Sequence, residues 1–225
     1  MNASSPCSLS YASLRDEPPQ DQLDWLSEDE RARASRFVLE RDRRRYLAAH
    51  VALRKVLATQ LGSDPARLAF ETGPFGKPRL RGSRLRFSLS HSEDLAAIAV
   101  TQDTEVGVDV EMLREVDRTL AVQVCTADEQ RQIDAEPAHH ARAFLTCWTR
   151  KEACLKALGW GLNVEPATIT VGARADTANV EIRGDRRLFR VTLQSMPAPA
   201  RAVVAVARCI DQSHGSVPMP PVCPA

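Results

Sequence analysis

Nowhere in this chain does an apolar run approach the ~20 residues that a helix needs to cross a bilayer. Its first stretch, MNASSPCSLSYASLRDEPPQ, lacks the basic start and hydrophobic block of a secretory signal. Cysteines fall at positions 7, 125, 147, 154, 209 and 223, with no CxxC pair and no zinc-like spacing. Cys147 and Cys154, seven apart on one side of a predicted helix, read as small buried hydrophobes. Charge of one sign is also missing. Thirty basic residues against 29 acidic ones leave a net +1, too little for the positive field that non-specific nucleic-acid binding needs. No Walker loop or Rossmann fingerprint occurs. The expectation is a cytoplasmic monomer with neither nucleic-acid nor membrane partners.

What is present is enough apolar material for a core. The 225 residues are 44% hydrophobic, sufficient for one large domain or two of about 110 residues each. Residues 1–20 read as a loose N-terminal segment and 211–225 as a disordered tail. Ser27 and Glu30 form a capping-box pattern that opens a helical region over about 28–61, with a break near Leu39 to Asp42. Strands are expected at LAFET, RLRFSLSHS, DLAAIAV and EVGVDVE, followed by helices from about Asp128 and from Ala141 to Leu158. ATITV, NVEIR, RLFRVTL and RAVVAVARC complete the strand set. FSLSHSEDLAAIAV and RVTLQSMPAPARAVVAVA both read as strand, polar loop, apolar strand, which hints at two related halves. The halves are set at residues 21–112 and 113–210.

In GVDVE, at 107–111, the period of two turns Asp109 and Glu111 to one face and Val108 and Val110 to the other. Adjacent carboxylates repel unless a cation lies between them, so the pair reads either as a magnesium site or as a solvated strand edge. On the later helix, Phe144, Cys147, Trp148, Leu155 and Leu158 form an apolar stripe with Lys151 at its centre, where a cation needs a partner. Glu152 flanks the stripe and Lys156 follows at i+4. They are either an ordinary helix pair or a metal ligand beside a phosphate-facing lysine. SLSHS, at 88–92, fits phosphate binding, a general base or a helix N-cap. Lys77 lies in the rigid GPFGKP turn, and Arg33, Arg36, Arg44, Arg45 and Arg54 supply cations from the first helical region. Together these residues suit phosphoryl transfer, with a metal bridging phosphate oxygens and lysines stabilising charge.

In order and separation, GPFGKP, FSLSHS, GVDVE and WTRKEACLKALGWG resemble the 4'-phosphopantetheinyl transferase superfamily. The length and apparent duplication resemble its larger, Sfp-type branch. The resemblance covers about residues 25–210 and implies an α+β fold of two similar halves in tandem, an intramolecular pseudo-dimer. It implies transfer of the 4'-phosphopantetheine arm of coenzyme A to a serine of an apo acyl or peptidyl carrier protein, with release of adenosine 3',5'-bisphosphate. Carried over by motif, Asp109, Glu111 and Glu152 would hold Mg2+. Lys156 would face the transferred phosphate and Lys151 would help to position or protonate it. Ser90 and His91 would contact the adenosine phosphates, and Lys77 the same nucleotide. Arg33 and Arg36, with Phe37 next, fit the basic pair that precedes the first motif. In VCTADE, Glu129, with Asp128 adjacent, is the extra acidic residue, helping the metal or acting as base through water. Glu152 or Glu129 would take the serine proton. The same residues also fit a non-catalytic coenzyme A or carrier-protein binding module, or a magnesium-dependent phosphohydrolase.

Overall fold

The computed structural model describes residues 6–73, 75–161, 164–174, 176–184, 188–199 and 201–210. The expected tail at 211–225 lies outside them. The first sheet has the order β1-β5-β4, from β1 (Ser8–Ser13), β4 (Leu85–Ser92) and β5 (Leu95–Gln102). The second has the order β6-β9-β8-β7, from β6 (Val106–Met112), β7 (Thr177–Arg183), β8 (Leu188–Met196) and β9 (Ala202–Cys209). A small hairpin joins β2 (Phe70–Thr72) to β3 (Pro78–Leu80). The helices are α1 (Gln20–Leu23), α2 (Glu28–Ala34), α3 (Glu40–Leu61), α4 (Thr119–Val124), α5 (Ala127–Asp134) and α6 (His140–Leu158). Among the described residues, no helix is long and apolar enough to cross a membrane.

The two halves repeat one design. In each, the first strand pairs antiparallel with the last, and the last pairs with the strand before it. One long helix covers each sheet: α3 packs Leu53 and Leu57 on Phe87, Ile98 and Val100, while α6 packs on β6, β8 and β9. Between the sheets, Ala97 and Ala99 of β5 meet Val106, Val108 and Val110 of β6 and the valines of β9. The molecule is therefore a pseudo-dimer of two α+β halves, as the resemblance implied.

Smaller repeats go deeper than the strand pattern. Ser27 caps α2 in a capping box with Glu30, and Thr126 caps α5 in a capping box with Glu129. Both glutamates continue into buried ion pairs with the long helix of their half. Arg54 reaches Glu30 at 2.6 Å and also donates to the carbonyls of Pro65 and Leu68. Lys151 reaches Glu129 at 2.7 Å and also donates to the carbonyls of Pro166 and Ile169. The same clamp is built twice, once around arginine and once around lysine.

Four expectations are corrected. The N-terminal segment is not loose throughout, because β1 pairs with β5 from Ser8↔Val100 to Ser13↔Leu95. Such a partner, almost ninety residues away, leaves no local signal. The boundary expected after residue 112 moves ahead of β6, because GVDVE pairs with β9 and belongs to the second sheet. ATITV forms no strand: Pro166–Thr168 is a 3-10 turn. Its polar backbone is taken by side chains, with Lys151 on the Pro166 and Ile169 carbonyls, Arg150 on the Val171 carbonyl and Glu129 accepting from Val171 N–H. The helical break falls slightly earlier than expected, across Ser35–Leu39 between α2 and α3.

Candidate active site

Strand β6 has β9 on one edge and β4 alongside the other. β4 and β6 share no backbone ladder, and serine hydroxyls span the gap. Val108 N–H donates to Ser88 Oγ at 3.0 Å and Met112 N–H to Ser92 Oγ at 3.1 Å. Between them Ser90 Oγ donates to Asp109 Oδ1 at 2.7 Å. The alternation of FSLSHS turns all three serines toward β6, and that of GVDVE turns Asp109 and Glu111 to the face covered by α6.

Gly107 sets how closely α6 can lie on that face. A Cβ at this position would fall 2.0 Å from the Ala153 carbonyl oxygen and 2.4 Å from Ala157 N. The helix backbone thus rests on the strand where a side chain is missing. Ala153 and Ala157, one turn apart, complete the small-residue contact. This approach brings Glu152 and Lys156, on the flank of α6, to the carboxylates of β6. Lys156 Nζ lies 2.7 Å from Asp109 Oδ1 and 3.0 Å from Ser90 Oγ. The lysine therefore bonds across to the strand, and the simple i,i+4 helix pair is not what forms.

The electrostatics of this cluster are unfinished. Asp109 Oδ2 and Glu152 Oε1 are buried without a hydrogen-bond partner. Burial, with repulsion from Glu111, raises the pKa of Asp109 above the ordinary carboxylate value despite Lys156 and Ser90. Burial also raises Glu152, followed by repulsion from Asp109. Unpartnered buried carboxylate oxygens are costly, and a hard cation with oxygen preference satisfies them. The orphaned oxygens of Asp109 and Glu152, with Glu111 on the same face of β6, are donors of the kind that Mg2+ favours. Glu111 is held by Ser92 at 3.1 Å and by Arg114 at 2.6 Å.

Beside the carboxylates a cleft of about 400 Å³ is lined by Phe37, Tyr46, Ser92 and Glu111, by the cationic or basic Arg45, His91 and Arg114, and by the acidic Asp42 and Glu93. His91 occupies the opposite face of β4 from Ser90. Burial and the Lys156 ammonium push its imidazole below the ordinary histidine value. Arg33 and Arg36 line the adjoining groove, which shares Phe37 as a wall, and Arg33 lies 5.9 Å from the Tyr46 ring centre. The basic pair is thus close to the cleft without lining the same pocket. Arg45 was noted in the sequence only as one of several cations. Arg114 and Tyr46 were missed, and neither carries a motif signal; Arg114 follows Glu111 by three residues, the sole local hint.

Four residues considered for the site stand elsewhere. Lys151 is wholly buried on the far side of α6 from Lys156, and its ammonium is spent on Glu129 and two carbonyls. Glu129 is equally buried: it accepts from the N–H groups of Thr126, Val171 and Gly172 besides Lys151. These bonds outweigh burial and hold its pKa below the ordinary value. Asp128 is exposed and pairs with Arg131. Lys77 donates to Glu105 at 2.7 Å and to the Val106 and Ala157 carbonyls at 3.0 Å, pinning the start of β6 to the end of α6. All three of its protons are used, which leaves none for a nucleotide. Cys125, Glu129 and Cys147 also form a compact candidate ligand group, with ligand atoms within 4.8 Å of one another. The Glu129 oxygens are already committed, however, and the Lys151 ammonium beside them opposes a cation.

Two family models cover the two halves end to end. One, described as 4'-phosphopantetheinyl transferase, N-terminal, matches residues 17–103, and the other, 4'-phosphopantetheinyl transferase superfamily, matches residues 105–207. The chain is 38% identical over 150 residues to the 4'-phosphopantetheinyl transferase HetI of Nostoc sp., covering 64% of this chain and 63% of HetI. It is 32% identical over 154 residues to the 4'-phosphopantetheinyl transferase psf-1 of Bacillus pumilus, covering 68% and 66%. A putative 4'-phosphopantetheinyl transferase of Synechocystis sp. is 35% identical over 144 residues, covering 61% and 58%. The chain thus spans roughly three fifths to two thirds of the length of these relatives. With both halves matched in order and the pseudo-dimer in place, the chain belongs to the 4'-phosphopantetheinyl transferase superfamily, in its larger two-half branch.

Proposed function

We propose that this protein moves the 4'-phosphopantetheine group of coenzyme A onto a serine of an apo carrier protein, releasing adenosine 3',5'-bisphosphate. The observation that carries the reading is the pair of buried, unpartnered oxygens on Asp109 and Glu152, beside Glu111 and Lys156. Asp109, Glu111 and Glu152 would hold Mg2+, which when bound would draw charge from the coenzyme A pyrophosphate. Lys156, now paired with Asp109, would turn to the phosphate under attack. The serine oxygen forms a bond to the β-phosphorus as the bond to the bridging oxygen breaks. Glu129 is committed to Lys151, so Glu152 is the carboxylate left to accept the serine proton. His91 and Arg45, with Arg33 and Arg36 close by, would receive the adenosine phosphates in and beside the cleft. Ser90 acts on the carboxylate side, through Asp109 and Lys156.

The halves divide just ahead of β6, and the pseudo-dimer interface within one chain favours a monomer. Free buried thiols favour a reducing cytoplasm. The reading is tested by incubating the protein with coenzyme A, Mg2+ and apo carrier domains of fatty-acid, polyketide and peptide synthetases, followed by intact mass. A gain of one arm (about 340 Da from its formula) is expected, with at least a ~100-fold loss of rate in Asp109→Asn. No gain on any carrier refutes the proposal, and full activity in Asp109→Asn refutes the metal assignment. Release of free phosphopantetheine without a carrier would instead indicate a phosphohydrolase.

A further inference from the structure

We infer that Ser92 is a positioning residue for Glu111, holding that carboxylate from across the seam between the two halves. The inference rests on the metal reading above and adds to it a residue that acts on the metal through Glu111. Ser92 has one hydroxyl hydrogen. Met112 N–H donates to its oxygen at 3.1 Å, so the hydroxyl's own hydrogen is directed to Glu111 Oε2, also at 3.1 Å. One side chain of the first half thereby fixes both the backbone of β6 and the orientation of the glutamate next to that backbone amide. Glu111 Oε1 is left for a cation. Arg114 also meets Oε2, but its side chain is half exposed, so solvent competes for it and its long stem fixes no orientation.

The neighbouring serines separate this role from a merely structural one. Ser88 receives Val108 N–H in the same way, and among the described residues its side chain makes no hydrogen bond to a site carboxylate. Ser90 bears on Asp109 and Lys156 and belongs to the site already described. Ser88 and Ser92 thus make the same backbone bond, and only Ser92 adds the bond to a ligand. Partners of metal ligands usually contribute about 10–100-fold in metal affinity.

The experiment titrates Mn2+ into the full-length chain with coenzyme A present and reads free Mn2+ by electron paramagnetic resonance. Thermal unfolding is recorded for every variant. Ser92→Ala is expected to weaken Mn2+ binding by about tenfold or more. Ser92→Thr is expected to keep wild-type affinity, because its hydroxyl can make both bonds. Ser88→Ala is expected to lower the unfolding temperature about as much as Ser92→Ala while leaving Mn2+ affinity unchanged. Wild-type affinity in Ser92→Ala, or an equal loss in Ser88→Ala, would overturn the inference while leaving the metal reading intact. Failure of the wild-type chain to bind Mn2+ would overturn the metal reading and this inference with it.

Discussion

Replacing Gly107 with alanine adds a single methyl group and tests how α6 and β6 are held together. The new Cβ would lie 2.0 Å from the Ala153 carbonyl oxygen, 2.4 Å from Ala157 N and 3.0 Å from the Lys156 carbonyl carbon. Contacts shorter than 3.0 Å are essentially never seen for a real Cβ, so the helix must retreat by about 1 Å or more. The obstacles are backbone atoms of a packed helix, which cannot rotate aside. Overpacking of this kind costs about 1–3 kcal/mol. The same retreat carries Glu152 and Lys156 away from Asp109 and Glu111, and misplacement by 1 Å can cost about 100-fold in rate. Urea unfolding followed by circular dichroism should show a lower midpoint with an unchanged slope. Carrier loading followed by intact mass, normalised to folded protein, should fall about 100-fold. A variant that unfolds at the wild-type midpoint and loads carrier at the wild-type rate would refute the reasoning.

The buried Lys151–Glu129 pair gives a contrasting expectation. Lys151→Met alone should destabilise by about 3–5 kcal/mol, because it leaves a buried carboxylate without its cation, whereas Lys151→Met with Glu129→Leu should recover much of that loss. Activity per folded molecule should persist in the double variant, and its abolition would return these residues to the chemistry. Glu30 predicts an acid limit for the first half. Burial alone would raise its pKa, but hydrogen bonds from His50, Arg54 and Ser27 N–H bring it from 4.5 down to about 2. A depressed folded value contributes stability above the unfolded value and loses it as pH falls. Glu30 should therefore supply about 3 kcal/mol at neutral pH that disappears between about pH 5 and pH 2. Unfolding midpoints of wild type and Glu30→Gln should converge over that window, and a difference that stays constant would refute the assignment.

Much of the site was legible because it follows periodicities. The alternation of GVDVE told which residues face α6, and the capping pattern at Ser27 located the start of α2; the equivalent pattern at Thr126 was present and went unread. The stripe on α6 correctly demanded a partner for Lys151. What a single helix wheel could not tell is which lysine meets which acid. Lys151 and Lys156 stand on different sides of α6, and only the tertiary packing sends one to Glu129 and the other to Asp109. The duplicated clamp held a readable signal: a capping-box glutamate, a cation on the next long helix, then Pro-Ala-x-Leu at 65–68 or Pro-Ala-x-Ile at 166–169. Comparing the halves at that level would have moved Glu129 and Lys151 out of the candidate site. β1 and the serine bridges depend on non-local neighbours and left no pattern to read.

The two clamps also fix how many centres one chain can carry. Aligning the two helices in sequence on Arg54 and Lys151 pairs Lys55 with Glu152 and Thr59 with Lys156. β1, the counterpart of β6, reads SLSYAS and offers no carboxylate. The first half therefore repeats the scaffold without the acidic groups, and its serines serve the second half instead. On the proposed assignment, a molecule built twice would bind one cation and turn over at one centre.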